Sequence, residues 1–255
     1  MRNEKGPQKM ENKDSKLAQD FDPVETDPLR GKILIYGQPG VGKTTMASQM
    51  DNPYFLRCDK RQKWIKTWGK DVNSWADFRE QVQALLGEDH DFKTVVVDGI
   101  GNLWQFGVNE VCHDNGWEHI NDSGHGKGYD YAKTKMVNAF NALASSGLGI
   151  VMICHEAVKE TEYAGVVREM IKPDMIPTCW KIVNGMTDMI GRMYIKGVMV
   201  DGVFTERRCI SFTPSTQYIA KDCTKYLKGS GEIIVEPEEQ CWAKIAAFFK
   251  EKAND

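Results

Sequence analysis

A glycine-rich segment carries the clearest chemical signal in the sequence. The pattern GxxxxGK[ST] is matched in full by Gly37, Gln38, Pro39, Gly40, Val41, Gly42, Lys43, Thr44 and the adjoining Thr45. In such a loop the glycines let backbone N–H groups turn inward around phosphate oxygens, while the lysine reaches the β- and γ-phosphates. The hydroxyl of Thr44 is the ligand that these loops offer to Mg²⁺. The segment therefore predicts a nucleoside triphosphate site with Mg²⁺ as cofactor and Lys43 as its catalytic cation.

One acidic residue further along the chain supports this assignment. Asp98 ends the β-branched run TVVVD, the position at which phosphate-loop proteins place the carboxylate that holds Mg²⁺. The alternative is that Asp98 caps the helix that follows. No Asn-Lys-x-Asp segment typical of guanine recognition follows a late strand, so ATP is the expected nucleotide.

Three more polar residues stand where predicted strands end. Asp59 follows the run YFLRC, and His155 and Glu156 follow VMIC. Because ligands of open parallel sheets lie beyond the carboxyl ends of the strands, we expect these side chains near the nucleotide. His155 is the candidate sensor of the γ-phosphate, with a locally hydrogen-bonded structural histidine as the alternative. Asp59 and Glu156 are rival candidates for polarising the attacking water.

The segment from Arg57 to Lys70 mixes basic residues with tryptophans. Such surfaces suit single-stranded nucleic acid, because phosphates meet the charges and bases stack on the rings. The candidate contacts are Lys60, Arg61, Lys63, Trp64, Lys66 and Trp68. On a helix, Trp64 and Trp68 would share a face; the alternative is an amphipathic helix whose tryptophans belong to the core. A second basic cluster, expected at a DNA channel, a subunit contact or an ordinary exposed face, comprises Arg207, Arg208, Lys221, Lys225 and Lys228.

The pattern of elements from residue 31 onward is typical of an α/β domain, since short apolar runs alternate with amphipathic stretches. Apolar runs predict strands at 32–36, 54–58, 93–98 and 149–155. Helices are predicted in between, at 43–50, 75–86, 102–112 and 129–144. Continuous apolar strands separated by helices indicate a mostly parallel sheet covered on both faces. Beyond residue 157 the sequence predicts a hairpin at 161–171, a helix at 177–190, antiparallel strands at 192–196, 203–212 and 216–220, and a helix at 237–250.

Composition limits the class of protein. Residues 1–28 mix both charges with few apolar side chains and are predicted to be a flexible tail, with one domain over 29–255. The net charge of -3 gives no global basic field. The polar N-terminus and short apolar runs predict neither a secretory signal nor a membrane span, and seven cysteines without CxxC pairs indicate a cytoplasmic protein. Residues 112–129 fit no familiar zinc-finger spacing, and their glycines predict a mobile loop.

Together these segments resemble the RecA-like ATPases of bacteriophages, and in particular the Sak group of ATP-dependent single-strand annealing proteins. The resemblance spans about residues 30–228 and rests on GQPGVGKTT, LRCDK, TVVVDGI, VMICHE, IKPDMIP, TDMIGRMY and ISFTPSTQYIAKDC. It implies a RecA-like core in which one strand separates the phosphate-loop strand from the strand that ends at Asp98. It also implies ATP bound between subunits of a ring or filament, single-stranded DNA as a partner, and a single-stranded-DNA-binding or replication protein as another.

Two departures from that group bear on the rate of hydrolysis. Asp59 stands where the family usually has Glu, and Lys221-Asp222-Cys223 stands where related proteins carry a Lys-x-Arg pair that reaches a neighbour's ATP. Losing that Arg removes a charge that stabilises phosphoryl transfer, so slow hydrolysis is expected, with Lys221 as the remaining candidate in trans.

The function expected is that of an ATPase for phage DNA recombination, promoting annealing or strand pairing. The alternative is a replication accessory or helicase-loader-type ATPase that uses ATP as a conformational switch for a protein partner. A small-molecule kinase is disfavoured because the sequence shows no Arg-rich lid.

Overall fold

The computed structural model describes residues 27–59, 64–124, 126–163, 165–224, 226–227 and 230–253. Its strands are β1 (Lys32–Gly37), β2 (Pro53–Arg57), β3 (Trp68–Asp71), β4 (Thr94–Asp98), β5 (Gly149–Tyr163), β6 (Val166–Pro173), β7 (Met189–Val200), β8 (Val203–Ser211), β9 (Lys221–Asp222) and β10 (Glu232–Val235). Its helices are α1 (Lys43–Ser48), α2 (Trp75–Gly87), α3 (Ile100–Asn115), α4 (Lys127–Ser145), α5 (Pro177–Met186) and α6 (Cys241–Ala253). Short 3₁₀ turns cover Pro28–Arg30 and Ile120–Ser123. None of the described helices combines the length and the apolar character needed to cross a bilayer.

The sheet is built around β5, which lies between β1 and β4. The strand order is β10-β8-β7-β1-β5-β4-β2-β3, with β6 paired to β5 and β9 paired to β7. The strands from β7 to β3 in this order run parallel, and the C-terminal pairs β7–β8 and β8–β10 are antiparallel, which confirms the predicted mostly parallel sheet with antiparallel C-terminal strands, although β3 and β10 themselves were not predicted. In register, Tyr36 lies opposite Cys154 and Asp98 opposite Ile153, so β1 and β4 end together at one edge, beside residues 153–155 of the longer strand β5. One strand thus separates the phosphate-loop strand from the Asp98 strand, which matches the implied RecA-like arrangement.

Helices cover both faces of this sheet, because successive residues of a buried strand point to opposite sides. Leu34 and Tyr36 of β1 belong to a core shared with α2, α3, α4 and α5. Ile33 and Ile35 point the other way and share a second core with α1 and α6. This arrangement explains the unbroken apolar runs of the central strands: β4 and the segments 33–37 of β1 and 150–154 of β5 are buried on both faces.

Several predicted boundaries were wrong, and the pairing of strands explains why. The helix predicted to reach 190 ends at Met186, because Met189 and Ile190 start β7 and pair with β1. The strand predicted at 216–220 is reduced to one bridge between Tyr218 and Ile171, with regular pairing only at β9.

The connections between elements also differ in part from the sequence prediction. The helix predicted to stop at residue 112 continues to Asn115. The adjoining segment forms a capped 3₁₀ turn in which His119 accepts a bond from Asn121 N–H. The predicted hairpin at 161–171 is confirmed as the β5–β6 pair, in which Tyr163 lies opposite Val166.

Candidate nucleotide-binding site

The phosphate loop joins β1 to α1 at the carboxyl edge of the sheet. Gly40 and Gly42 have φ values of 79° and 102°, a backbone conformation that glycine adopts without strain. The loop forms one wall of a cavity of about 390 Å³, and Asp59, Asp98 and His155 belong to the opposite side. The edge where β1 and β4 end, beside His155 of β5, is therefore concave and carries charged side chains, as expected for the ligand site of an open parallel sheet.

Lys43 is the cation of this cavity. Its side chain is only 6% exposed, and its Nζ donates to the carbonyl oxygens of Gly37 and Gln38 at 2.8 and 2.7 Å. Burial lowers the pKa of Lys43, while nearby groups, Asp98 among them, oppose that shift. The ammonium is thus held over the loop by two weak carbonyl acceptors, which a phosphate oxygen can replace with a stronger charge-assisted bond.

Thr44 and Asp98 form the second feature of the site. Thr44 Oγ1 donates to Asp98 Oδ2 at 2.7 Å, and Asp98 is 4% exposed. Burial raises the pKa of Asp98 to about 6, against the opposing effects of the Thr44 bond and Lys43. Gly99, not Asp98, occupies the N-cap of α3, so the helix-capping alternative is wrong.

This pair fits Mg²⁺ in both donor type and charge. A hydroxyl and a carboxylate are the hard oxygen ligands that Mg²⁺ prefers. The carboxylate of Asp98 is buried with its charge only partly compensated, and a divalent cation would stabilise its ionised form.

Asp59 and His155 meet beside these residues. Asp59 lies just past β2, and its N–H donates to Asp98 O at 3.2 Å, which ties the end of β2 to the end of β4. His155 Nε2 lies 3.9 Å from Asp59 Oδ2, and both side chains line the cavity. The structure therefore brings Asp59 and His155 together with Lys43, Thr44 and Asp98.

Glu156, the rival of Asp59, occupies a different environment. Arg192 Nε donates to its Oε2 at 2.9 Å, and both side chains of this ion pair are largely buried. The Arg192 guanidinium also lies 4.6 Å from the centre of the Tyr194 ring and 5.2 Å from that of Tyr218. Glu156 does not belong to the cavity wall, and its carboxylate is engaged in holding β5 to β7.

Two polar side chains of the cavity, those of Asp174 and Asn102, were not singled out from the sequence. Asp174 follows β6, and its N–H donates to His155 O at 2.8 Å. Asn102 donates through Nδ2 to Cys58 O at 3.0 Å. The strand-end rule that found Asp59 and Asp98 does not cover Asp174, because β6 is a largely exposed or half-buried strand antiparallel to β5 and returns to the cavity only through that hairpin. Asn102 is oriented by a contact distant in sequence and likewise carried no signal.

The tryptophan segment adjoins the cavity, and its described residues do not form a helix that would place Trp64 and Trp68 on one face. Trp68 is the first residue of β3, which pairs with β2 at the edge of the sheet. Trp64 is 94% exposed and Trp68 76% exposed, so the alternative that they belong to the core is also wrong. Ile65, between them, lines the nucleotide cavity, and Lys66 is exposed. The other predicted contacts, Lys60, Arg61 and Lys63, lie outside the described residues.

The second basic cluster does not form one surface among the residues that are described. Lys221 Nζ donates to the carbonyls of Asn184 and Thr187 at 2.9 and 2.7 Å, which satisfies the C-terminal end of α5. Arg207 pairs with Glu236, whereas Arg208 reaches the phosphate loop. Lys225 and Lys228 fall outside the described ranges. The trans role of Lys221 stays a prediction, beside an intramolecular role that the structure explains.

Comparison with known families agrees with this geometry. A family model described as an AAA domain matches residues 30–224, from the start of β1 to just past β9. The chain belongs to the AAA-domain family. An ATPase-type domain of this family binds nucleotide, which accords with the cavity around Lys43, Thr44 and Asp98. Comparison with curated proteins finds no match.

Proposed function

We propose that this AAA-domain protein binds and hydrolyses Mg-ATP and uses the nucleotide to control the binding of single-stranded DNA, in support of annealing or strand pairing as in the phage Sak group. The observation that carries the proposal is the position of Ile65. This residue lines the nucleotide cavity and stands between two exposed indoles, Trp64 and Trp68. The nucleotide cavity is thereby adjacent to a surface suited to nucleobases, so binding or loss of nucleotide can alter that surface.

In the nucleotide half of the proposal each residue has a defined task. Lys43 binds the β- and γ-phosphates, and Thr44 and Asp98 hold Mg²⁺, which supplies positive charge at the phosphates when bound. Asp59 polarises the attacking water, since its carboxylate lies in the cavity with His155 Nε2 at 3.9 Å. His155, which lies opposite the last residue of β1 in the central strand, senses whether the γ-phosphate is present.

The DNA half rests on exposed aromatic area beside positive charge. Large indoles held in water are uncommon on a protein surface without a partner, and stacking on a base is worth about 1–3 kcal/mol per base. Lys66 and Lys70 are exposed in the same stretch and can meet phosphates. Local charge of this kind allows DNA binding by a protein whose net charge is -3.

Binding to labelled single-stranded DNA, measured by fluorescence anisotropy without nucleotide, with ADP and with a non-hydrolysable ATP analogue, tests this proposal. We expect tight binding only with the analogue, weakening as salt rises. Replacing both Trp64 and Trp68 by alanine should weaken binding at least tenfold. Phe204→Ala removes another exposed aromatic ring, from the β7–β8 hairpin, and should leave affinity within twofold. Unchanged binding by the double variant would contradict the DNA surface.

The nucleotide half is tested separately with Lys43→Ala. This change removes the cation that the site directs to the phosphates, so ATP hydrolysis should be lost while the far-ultraviolet circular dichroism spectrum is retained. Hydrolysis at the wild-type rate in this variant would overturn the phosphate-loop mechanism.

A second candidate function, a loader-type ATPase that switches a protein partner, is favoured by one observation. The β7–β8 hairpin exposes Met199, Val203 and Phe204, a surface more typical of protein contacts than of DNA binding. Failure to bind DNA in any nucleotide state would favour this reading, with a replication protein or a single-stranded-DNA-binding protein as the expected partner. A homo-oligomeric ring or filament is expected under either function, and light scattering with and without the ATP analogue measures it.

A further inference from the structure

Arg208 of β8 contacts the phosphate loop from a position far along the chain. Its Nε donates to the carbonyl oxygen of Val41 at 2.7 Å across a sequence separation of 167 residues. The guanidinium also packs against Gly42, so closely that a Cβ at that position would lie 3.0 Å from Nε. Position 42 therefore requires glycine for two reasons: its positive φ and this close approach.

The sheet explains how Arg208 reaches the loop. Strand β7 runs parallel to β1 and still pairs with Gly37, the last residue of β1, through Met193. Arg208 lies opposite Ile195 of β7, two residues beyond that point. Its side chain is therefore at the height where β1 ends and the phosphate loop turns.

The contact is on the outer side of the loop. Arg208 is absent from the cavity wall, whereas Gly42 is part of it. A trans peptide directs its C=O and its N–H in opposite directions, and the described chain has no cis peptide. Holding the Val41 carbonyl outward against Arg208 therefore directs the Gly42 N–H inward, to where a phosphate oxygen would bind.

The charge of Arg208 adds to this effect. In the part of the chain that the structure describes, no carboxylate lies within salt-bridge distance of its guanidinium, whereas the adjacent Arg207 pairs with Glu236. An unneutralised cation behind the loop favours a polyphosphate in front of it.

We propose that Arg208 is a positioning residue of the phosphate loop: through its bond to Val41 O it fixes the Gly42 N–H toward the phosphates, and so sets the affinity for nucleotide. The proposal rests on the nucleotide binding proposed above. Because the contact exists before and during the reaction, losing it should raise KM for ATP far more than it lowers kcat.

The test compares Arg208→Gln and Arg208→Lys with the matched control Arg207→Gln. Binding of fluorescent ADP and ATP analogues and the kinetics of ATP hydrolysis are measured on the full chain. We expect the glutamine variant to bind both nucleotides about tenfold more weakly, the loss of one charge-assisted hydrogen bond. The lysine variant, which keeps the charge without the planar donor, should show an intermediate loss. The control should stay within twofold.

Nucleotide affinity of Arg208→Gln within twofold of wild type overturns the proposal, and so does an equal loss in Arg207→Gln, which would show a general effect of altering β8. Should the glutamine variant not fold, the lysine variant decides: a KM within twofold of wild type overturns the proposal, and a rise of threefold or more supports it. Lys43→Ala separates this test from the proposed function. If Lys43→Ala loses nucleotide binding and the Arg208 variants keep it, only the role of Arg208 is wrong.

Discussion

Asp98 is a buried carboxylate whose ionised form destabilises the ligand-free protein but would bind a divalent cation. Its carboxylate is buried beside the β-strand end, receives one hydrogen bond from Thr44, and has its pKa raised to about 6 by burial. Near neutral pH the group is ionised, and the ligand-free fold bears the cost of a buried charge. The same charge would attract a divalent cation. The ligand-free fold is therefore less stable than it would be with a neutral residue at position 98.

The free energy of unfolding should register this cost. The pKa of Asp98 is higher in the folded chain than its usual 3.8, so ionisation destabilises the fold by roughly 3 kcal/mol above pH 6, and this penalty disappears as pH falls toward 4. Asp98→Asn removes the charge and keeps an acceptor for Thr44. We expect this variant to be more stable than wild type at pH 7.5 by about 1–3 kcal/mol and inactive as an ATPase.

Denaturant unfolding at pH 7.5, 6 and 4.5, without Mg²⁺ or nucleotide, measures the difference. It should shrink steadily as the pH is lowered. A variant less stable than wild type at pH 7.5 would contradict the account of Asp98.

Asp59 and Glu156 are distinguished by opposite effects on stability and activity. Glu156→Gln leaves Arg192 buried without its carboxylate and should lower the free energy of unfolding by about 3–5 kcal/mol. Asp59→Asn alters a side chain of the open cavity and should leave stability within about 1 kcal/mol while lowering kcat for ATP. Paired unfolding and hydrolysis measurements settle the assignment. A stable, inactive Glu156→Gln would return the water-polarising role to Glu156.

At the scale of elements, the C-terminal helix α6 supports the phosphate-loop helix. Helix α1 has only six residues, too few to persist without tertiary contacts. Its Met46 and Ala47 share a core with Ile245 and Phe249 of α6. The side-chain Oε1 of Gln49, at the end of α1, also accepts a hydrogen bond from the backbone N–H of Trp242 at 3.2 Å. The family match ends at residue 224, so this support comes from outside the matched segment.

Two neighbouring phenylalanines of α6 test this support. Phe249 is fully buried in the shared core, whereas Phe248 is only partly buried. Phe249→Ala should cost about 3–5 kcal/mol of stability, and Phe248→Ala clearly less. Thermal unfolding monitored by circular dichroism gives both values. Equal losses would show that α6 does not pack on α1 in this way.

What the sequence could predict at this scale depends on how local the determining interactions are. The strand, loop and helix around Lys43 follow from adjacent residues, and Asp98 from the rule that parallel strands end at a common edge. On a helix Trp64 and Trp68 would share a face, yet Trp68 belongs to an edge strand that pairs with β2. The contact between Arg208 and Val41 spans 167 residues and has no local pattern. Contacts of this kind depend on the register of the strands, which cannot be predicted from the local pattern of a single sequence.

At the scale of the whole molecule, the DNA binding proposed above requires a local basic patch, because a net charge of -3 gives no overall attraction to DNA. The segment 57–70 contributes at most six basic residues beside the tryptophans, so at most about six counterions are released on binding. We expect the logarithm of the DNA binding constant to fall with the logarithm of salt concentration with a slope of only about -2 to -4. Titrations between low and high salt measure this slope. A value steeper than about -6 would require a second, larger basic surface.

The length of β5 has a mechanical consequence. This strand passes His155 at the nucleotide edge and continues to Tyr163, so eight further residues of hairpin stand above the cavity wall. At about 3.3 Å per residue this arm measures roughly 26 Å. A rotation of about 5° at its base would carry its far end through roughly 2 Å, by the geometry of a rigid strand of that length. A small rotation at His155 would leave the packing of the sheet intact. At the far end of the hairpin the same rotation would produce a displacement large enough to make or break a contact.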